Sequence, residues 1–187
     1  MRLAFGYKSR VGKDTCVDYL ISKYGGKKLS FASPLYDILH YAQRACGFEQ
    51  VKDRKFLQYV GTEWARGQNN SVWLDKVRDQ LRTDSETNLY ISDLRFCNEF
   101  DMLRKQGVTL IRVDSDRALI DDHESSVSLD ETTDDMWDYI IENNRSLPFL
   151  FQALDEVVAD ITDRKVVGYD DDFIPGISID QKHHYRD

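Results

Sequence analysis

Apolar residues along this chain are grouped in two ways. Compact runs occur at residues 2–5, 27–31, 88–92, 108–113 and 137–141. Each is short and apolar enough to read as a buried strand. Elsewhere apolar residues recur every three or four positions. Val17, Leu20 and Ile21 share one face of a helix predicted over 13–24. Leu35, Ile38, Leu39 and Ala42 do so in a helix that opens at Ser33-Pro34 and ends near Gly47. Phe56, Leu57, Val60 and Trp64 mark a helix over 53–66, and three more are predicted over 72–82, 96–106 and 147–161. Ser33 is the expected N-cap of its helix, with Pro34 in the first turn, and Gly25-Gly26 and Gly107 are expected helix stops. Residues 114–135 are acidic and irregular, and 162–187 form a polar tail or arm containing Pro175 and Gly176.

Alternation of strands and helices predicts an α/β fold, with a parallel five-stranded sheet between two layers of helices. A long helical insertion, about 33–86, interrupts the alternation between the second and third strands. Ligands of such sheets bind outside the C-terminal ends of the strands, where Gly6 and Asp93 fall.

The loop after the first strand carries the candidate chemistry. Gly6-Tyr7-Lys8-Ser9-Arg10-Val11-Gly12-Lys13-Asp14-Thr15 joins a strand to a helix. A glycine loop ending in Gly-Lys at a helix N-terminus can hold phosphate. Backbone N–H groups converge on the anion, the helix dipole adds positive charge, and Lys13 adds a full charge. The pattern departs from G-x-x-x-x-G-K-[ST]. Gly6 lies one residue early, Tyr7 stands at the expected glycine, and Asp14 replaces the hydroxyl residue, with Thr15 following. Lys8 and Arg10 crowd further cations into the same loop.

With 187 residues, 41% of them hydrophobic, the chain has material for one globular domain. Its formal net charge of -8 argues against a polymeric nucleic-acid partner but not against a single nucleotide. Three cysteines without metal-like spacing read as reduced thiols. No run is apolar enough to span a bilayer and the N-terminus is not signal-like, so a cytoplasmic location, with no membrane partner, is expected.

Several segments resemble the deoxynucleoside monophosphate (dNMP) kinases of the P-loop kinase class, common in bacteriophages. They are Gly12-Lys13-Asp14-Thr15, Phe31-Ala32-Ser33-Pro34-Leu35, the run Arg54 through Leu57-Gln58 to Gly61-Thr62-Glu63, and Asp93-Leu94-Arg95-Phe96-Cys97-Asn98-Glu99. His123-Glu124-Ser125-Ser126 and Glu142-Asn143-Asn144 resemble later motifs of the same family. Val11, Tyr36 and Ser126 depart from the residues common there. The resemblance covers roughly residues 1–160. It implies a three-layer P-loop kinase domain over 1–161, with a substrate-binding helical insertion and a short lid at about 114–135.

It also implies a reaction, transfer of the γ-phosphoryl group of ATP to a dNMP with Mg2+, and a set of roles. Lys13, Asp14, Arg95 and Arg117 are the expected catalytic residues, with Arg117 as an arginine finger of the lid. Gly6, Lys8, Arg10, Gly12, Lys13, Thr15 and Asn143 would hold the donor nucleotide. Ser33, Arg54, Gln58, Arg66, Trp73 and Arg95 would hold the acceptor, although core packing is the favoured reading of Trp64 and Trp73. Asp14, Thr15 and Asp93 are the expected Mg2+ holders. The Gly-Lys-Asp loop also fits kinases of phosphomevalonate or dephospho-coenzyme A, or a non-catalytic nucleotide-binding protein. The tail suggests an arm that reaches across a homodimer.

Overall fold

A computed structural model describes residues 1–84, 87–119, 123–167 and 177–178. Five strands, β1 (Arg2–Gly6), β2 (Lys27–Leu29), β3 (Leu89–Leu94), β4 (Thr109–Asp114) and β5 (Tyr139–Glu142), form a parallel sheet in the order β2-β3-β1-β4-β5. This is an α/β fold consistent with a P-loop kinase. A two-residue β6 (Ile177–Ser178) pairs parallel with Tyr139 and Ile140, a strand not expected from the sequence. The rest of the tail beyond Val167 lies outside the described residues, as do 85–86 of the insertion and 120–122 of the acidic segment.

Alternation along the strands sorts the core into two halves. Ala4, Leu89, Ile91 and Leu110 face one side of the sheet. Leu3, Phe5, Tyr90, Ile111 and Val113 face the other. The second side is covered by α1 (Lys13–Tyr24) and α7 (Leu147–Val167), through Val17, Leu20, Leu150 and Leu154. The first is covered by α2 (Ser33–Ala45), α4 (Leu74–Thr83) and α5 (Cys97–Lys105), through Leu35, Val77, Leu81 and Leu103. Burial of both faces is what lets a parallel sheet persist.

Three local expectations are corrected. The helix expected over 53–66 is capped by Asp53, whose carboxylate accepts from Phe56 N at 3.0 Å, but only Arg54–Gln58 (α3) is α-helical. Tyr59–Arg66 is wound as a π-helix. Gly61 sits in this segment because a Cβ there would lie 2.6 Å from a Leu35 methyl, so α2 packs directly on its backbone. Second, the N-cap of α2 is Ala32 and not Ser33, which is exposed and makes no cap bond. Third, Trp73 is buried in the core with its indole N–H on the Gly61 carbonyl at 3.0 Å, so it is not placed to stack on a ligand.

Trp137 was expected to start the last strand. It precedes it instead, fully buried, edge-on to Phe100 with ring centroids 4.9 Å apart. Its Nε1 donates to Thr132 Oγ1 at 3.1 Å. Its ring lies against Gly6, where a Cβ would come within 2.5 Å of it. Among the described residues no helix is long and apolar enough to cross a membrane. Replacing Gly6 by Ala forces this ring to move, and overpacking of this kind costs about 1–3 kcal/mol. Urea unfolding of Gly6→Ala should show that loss; an unshifted midpoint would mean that the Trp137 contact does not constrain this position.

Candidate functional site

The C-terminal ends of β1, β3, β4 and β5 lie side by side, because the parallel register aligns Gly6 with Leu94 and Arg112, and Asp114 with Glu142. The loop from Gly6 to Gly12 leaves β1 at this edge. Gly6 is there to admit Trp137, and its φ is not positive. The left-handed position falls on Tyr7, with φ 87°, where the phosphate-loop pattern has glycine. Such a φ costs a side-chain-bearing residue about 1–2 kcal/mol. The Arg112 guanidinium lies 4.2 Å from the centre of the Tyr7 ring and holds it. Arg112 is fixed in turn by Asp114 at 2.9 Å and Asp134 at 2.7 Å. Arg10 is also left-handed, at φ 66°, and exposed.

Gly12 closes the loop as the N-cap of α1 with φ 100°. A Cβ there would lie 2.4 Å from Asn143 Nδ2. That amide is buried and donates to Val11 O at 2.8 Å. Asn143 thus clamps the loop from the end of β5, and the glycine lets it come close. Its own carbonyl accepts from Arg117 Nη2 at 2.7 Å, so Arg117 lies beside the end of β5.

Lys13 is 5% exposed. Its ammonium donates into the loop, to the carbonyls of Tyr7 and Lys8. Burial, helped by the nearby Arg95 charge, pushes its pKa down to about 7 against the pull of Asp14 and Asp93. Asp14 Oδ1 accepts from both Lys28 Nζ and Ser92 Oγ at 2.6 Å. Partial burial raises the Asp14 pKa, but these two bonds outweigh it and hold the carboxyl below its usual range. Thr15 follows on the same helical turn, half-buried.

Asp93 accepts from Ser30 Oγ at 2.6 Å, Phe31 N at 3.2 Å and Ala32 N at 3.0 Å. It therefore holds the turn that starts α2, the capping work expected of Ser33. Arg95 donates to Ser9 Oγ at 2.8 Å and so points at the loop. Lys8 turns away from the loop interior, donating to Ser126 O at 2.8 Å and Asp130 Oδ2 at 2.6 Å. With the Leu119 N bond to Ser9 O at 2.9 Å, it ties the loop to the acidic segment.

On the insertion, Arg54 and Gln58 lie in α3, exposed and half-buried. Arg66 is 8% exposed and already engaged. It is ion-paired to the buried Glu99, reaches Asn70 O at 3.2 Å and Asn98 Oδ1 at 3.4 Å, and lies 3.9 Å from the centre of the Phe96 ring. Burial raises the pKa of Glu99, while Arg66 and the backbone N–H groups of Arg95 and Phe96 oppose it. Arg66 also forms part of a cavity of about 480 Å³ between the π-helical segment and the short α6 (Glu124–Val127). Thr62, Glu63, Asn70, His123 and Glu124 line it as well.

Glu99 ends the Asp93–Glu99 motif, but its contact with Arg66 is visible only in the fold. Lys28, Ser92 and Asn70 carry no local signal, because only the fold brings them to Asp14 and Arg66.

No protein-family model matches the chain. It is 29% identical over 172 residues to a protein of Acanthamoeba polyphaga mimivirus named "Putative deoxynucleotide monophosphate kinase", with 76% of this chain and 88% of that protein covered. It is 32% identical over 143 residues to an uncharacterized protein, ORF77, of Ictalurid herpesvirus 1 (strain Auburn). That match covers 71% of this chain and 60% of the herpesvirus protein. The first similarity supports a kinase-like relationship.

The depressed pKa of Lys13 gives a measurable linkage. Above about pH 7 the empty site holds this amine mostly neutral, and a bound polyphosphate restores its charge. Calorimetric titration with tripolyphosphate at pH 8, in buffers of different ionisation heat, should show uptake of about one proton, vanishing below pH 6. Equal heats in all buffers at pH 8 would place Lys13 outside the anion site.

Proposed function

We propose that the protein is a dNMP kinase, moving the γ-phosphoryl group of ATP to the phosphate of a deoxynucleoside monophosphate to give ADP and a dNDP. One observation carries the reading. The loop with buried Lys13 and the cavity beside Arg66 are joined by a continuous series of contacts, from Arg66 to Glu99, from Glu99 to Arg95, and from Arg95 to Ser9 of the loop. Arg95 stands between the two, with its backbone N–H on Glu99 and its guanidinium on the loop, and a transfer between two phosphates requires a cation between donor and acceptor sites. The mimivirus relative adds support from its name.

An oxygen of the acceptor phosphate attacks the γ-phosphorus, and the bond to the β–γ bridging oxygen breaks. The nucleophile is already an anion, so positioning and charge stabilisation matter more than a general base. Lys13 leaves the Tyr7 and Lys8 carbonyls for the donor phosphates, beside the N–H groups of the loop and of α1. Arg95 neutralises charge between donor and acceptor. Gly12, held by Asn143, keeps the loop backbone open to the anion. Arg117 and Asn143, at the end of β5, border the position for the donor's nucleoside. The insertion serves as the acceptor domain and residues 114–135 as the lid.

Among the described residues no three His, Cys, Asp or Glu side chains converge as a metal site. Mg2+ would be carried by nucleotide phosphates and water, with one or two protein oxygens. Asp14 through Oδ2 and Thr15 through its hydroxyl would touch it, while Asp93 is engaged with the turn before α2. The ion, when bound, offsets the charge of the phosphates.

The test is ADP release with ATP, Mg2+ and each of the four dNMPs, with the four NMPs alongside. One or more dNMPs should stimulate turnover, and Lys13→Ala should lower it about a hundredfold or more. Silence with all eight acceptors would sink the reading and favour another phosphorylated acceptor or a non-catalytic binder.

A further inference from the structure

The hydrogen-bonding roles of the groups that line the cavity beside Arg66 can be assigned in part. Several of its donors already have protein partners. Arg66 Nη1 is on Asn70 O and Asn98 Oδ1, and Nη2 is on Glu99. His123 Nδ1 accepts from Ser125 N at 3.2 Å, which leaves the ring proton on Nε2, directed at Glu63 Oε1 at 3.3 Å. This bond fixes one oxygen of Glu63 and leaves Oε2 as an acceptor. Glu124 adds a second carboxylate and Thr62 a hydroxyl. Asn98 Nδ2 donates to Asn70 Oδ1 at 3.2 Å, which sets the orientation of that amide and frees its Nδ2 as a donor.

The cavity thus offers the Glu63 carboxylate, further acceptors on Glu124 and Thr62, and the Asn70 amide as a donor beside Arg66. Guanine shows the complement on one edge: O6 as acceptor, then N1–H and the N2 amino group as adjacent donors. Adenine and cytosine each present one amino donor beside a ring-nitrogen acceptor. Thymine presents one N–H between two carbonyls, and a carbonyl against a carboxylate is repelled. A polar site of this kind rejects an analogue that leaves its groups unpaired far better than an apolar site rejects a change of size.

We infer that this cavity is a base-recognition site selective for guanine, with Glu63 accepting from N1–H and N2–H and His123 as the positioning residue that orients Glu63. The inference rests on the acceptor-site reading given under Proposed function. It makes dGMP the favoured acceptor.

The test is equilibrium binding to the intact protein, by calorimetry, of dGMP, dAMP, dCMP and dTMP, and of deoxyinosine monophosphate, which keeps O6 and N1–H and lacks the 2-amino group. We expect dGMP to bind at least about tenfold more tightly than deoxyinosine monophosphate and more tightly still than dTMP. Glu63→Gln should weaken dGMP about tenfold or more and remove its advantage over deoxyinosine monophosphate, while dTMP, no longer repelled by the carboxylate, should bind at least as well as before. Equal affinity for dGMP and dTMP would overturn the inference, as would an equal loss for all five ligands in Glu63→Gln. Selective dGMP binding without ADP formation from ATP would uphold the base assignment and sink the kinase reading.

Discussion

The Trp137 ring pressed against the bare Cα of Gly6 is the contact on which the arrangement of the site depends. It joins four parts of the chain in one place: the end of β1, the approach to β5, Phe100 of α5, and Thr132 of the acidic segment. Because nothing larger than hydrogen fits at residue 6, the loop cannot shift toward the core. The sharp turn is displaced by one residue onto Tyr7, which must take up a conformation that glycine would adopt freely. Arg112 holds it there through ring stacking and two carboxylates. The unusual spacing of the loop is thus a consequence of core packing between Gly6 and Trp137.

A second constraint is polar. Several polar side chains near the strand ends brace the site. Asp93 holds the turn into α2, Glu99 anchors Arg66 and the backbone leading to Arg95, and Asn143 holds Val11. The two carboxylates satisfy N–H groups and a guanidinium, and the Asn143 amide satisfies the Val11 carbonyl, all in poorly solvated places. Lys13 differs. It is buried on two carbonyls and its charge is disfavoured. Under the proposed function an anion would replace those partners with a stronger one.

Much of this was legible in the sequence. The five strands, the order of the helices and the glycine loop at a helix N-terminus follow from periodicity and from punctuation by Gly and Pro, which act over a few residues. Gly12 and Lys13 were placed by their immediate neighbours. The errors have a common physical origin. Ser33 looks like a cap, yet Asp93, sixty residues away, supplies the carboxylate. Arg66 looks like a solvated arginine or a ligand contact, yet the π-helical winding after Gln58 turns it inward onto Glu99. For Trp73, core packing is the favoured reading over stacking on a base, and the structure buries it with its indole N–H on the Gly61 carbonyl.

By itself, then, the sequence determined the element types, the α/β class, and a loop chemistry suited to phosphate, because these depend on local periodicity and on neighbouring residues. Tertiary structure alone decided which polar groups are engaged and which remain open. Hydrogen bonds between residues far apart in the chain leave no periodic trace. Whether Asp93, Arg66 or Glu63 faces a ligand or a partner side chain is settled only when the sheet has brought the strand ends together and the two helical layers have closed over it.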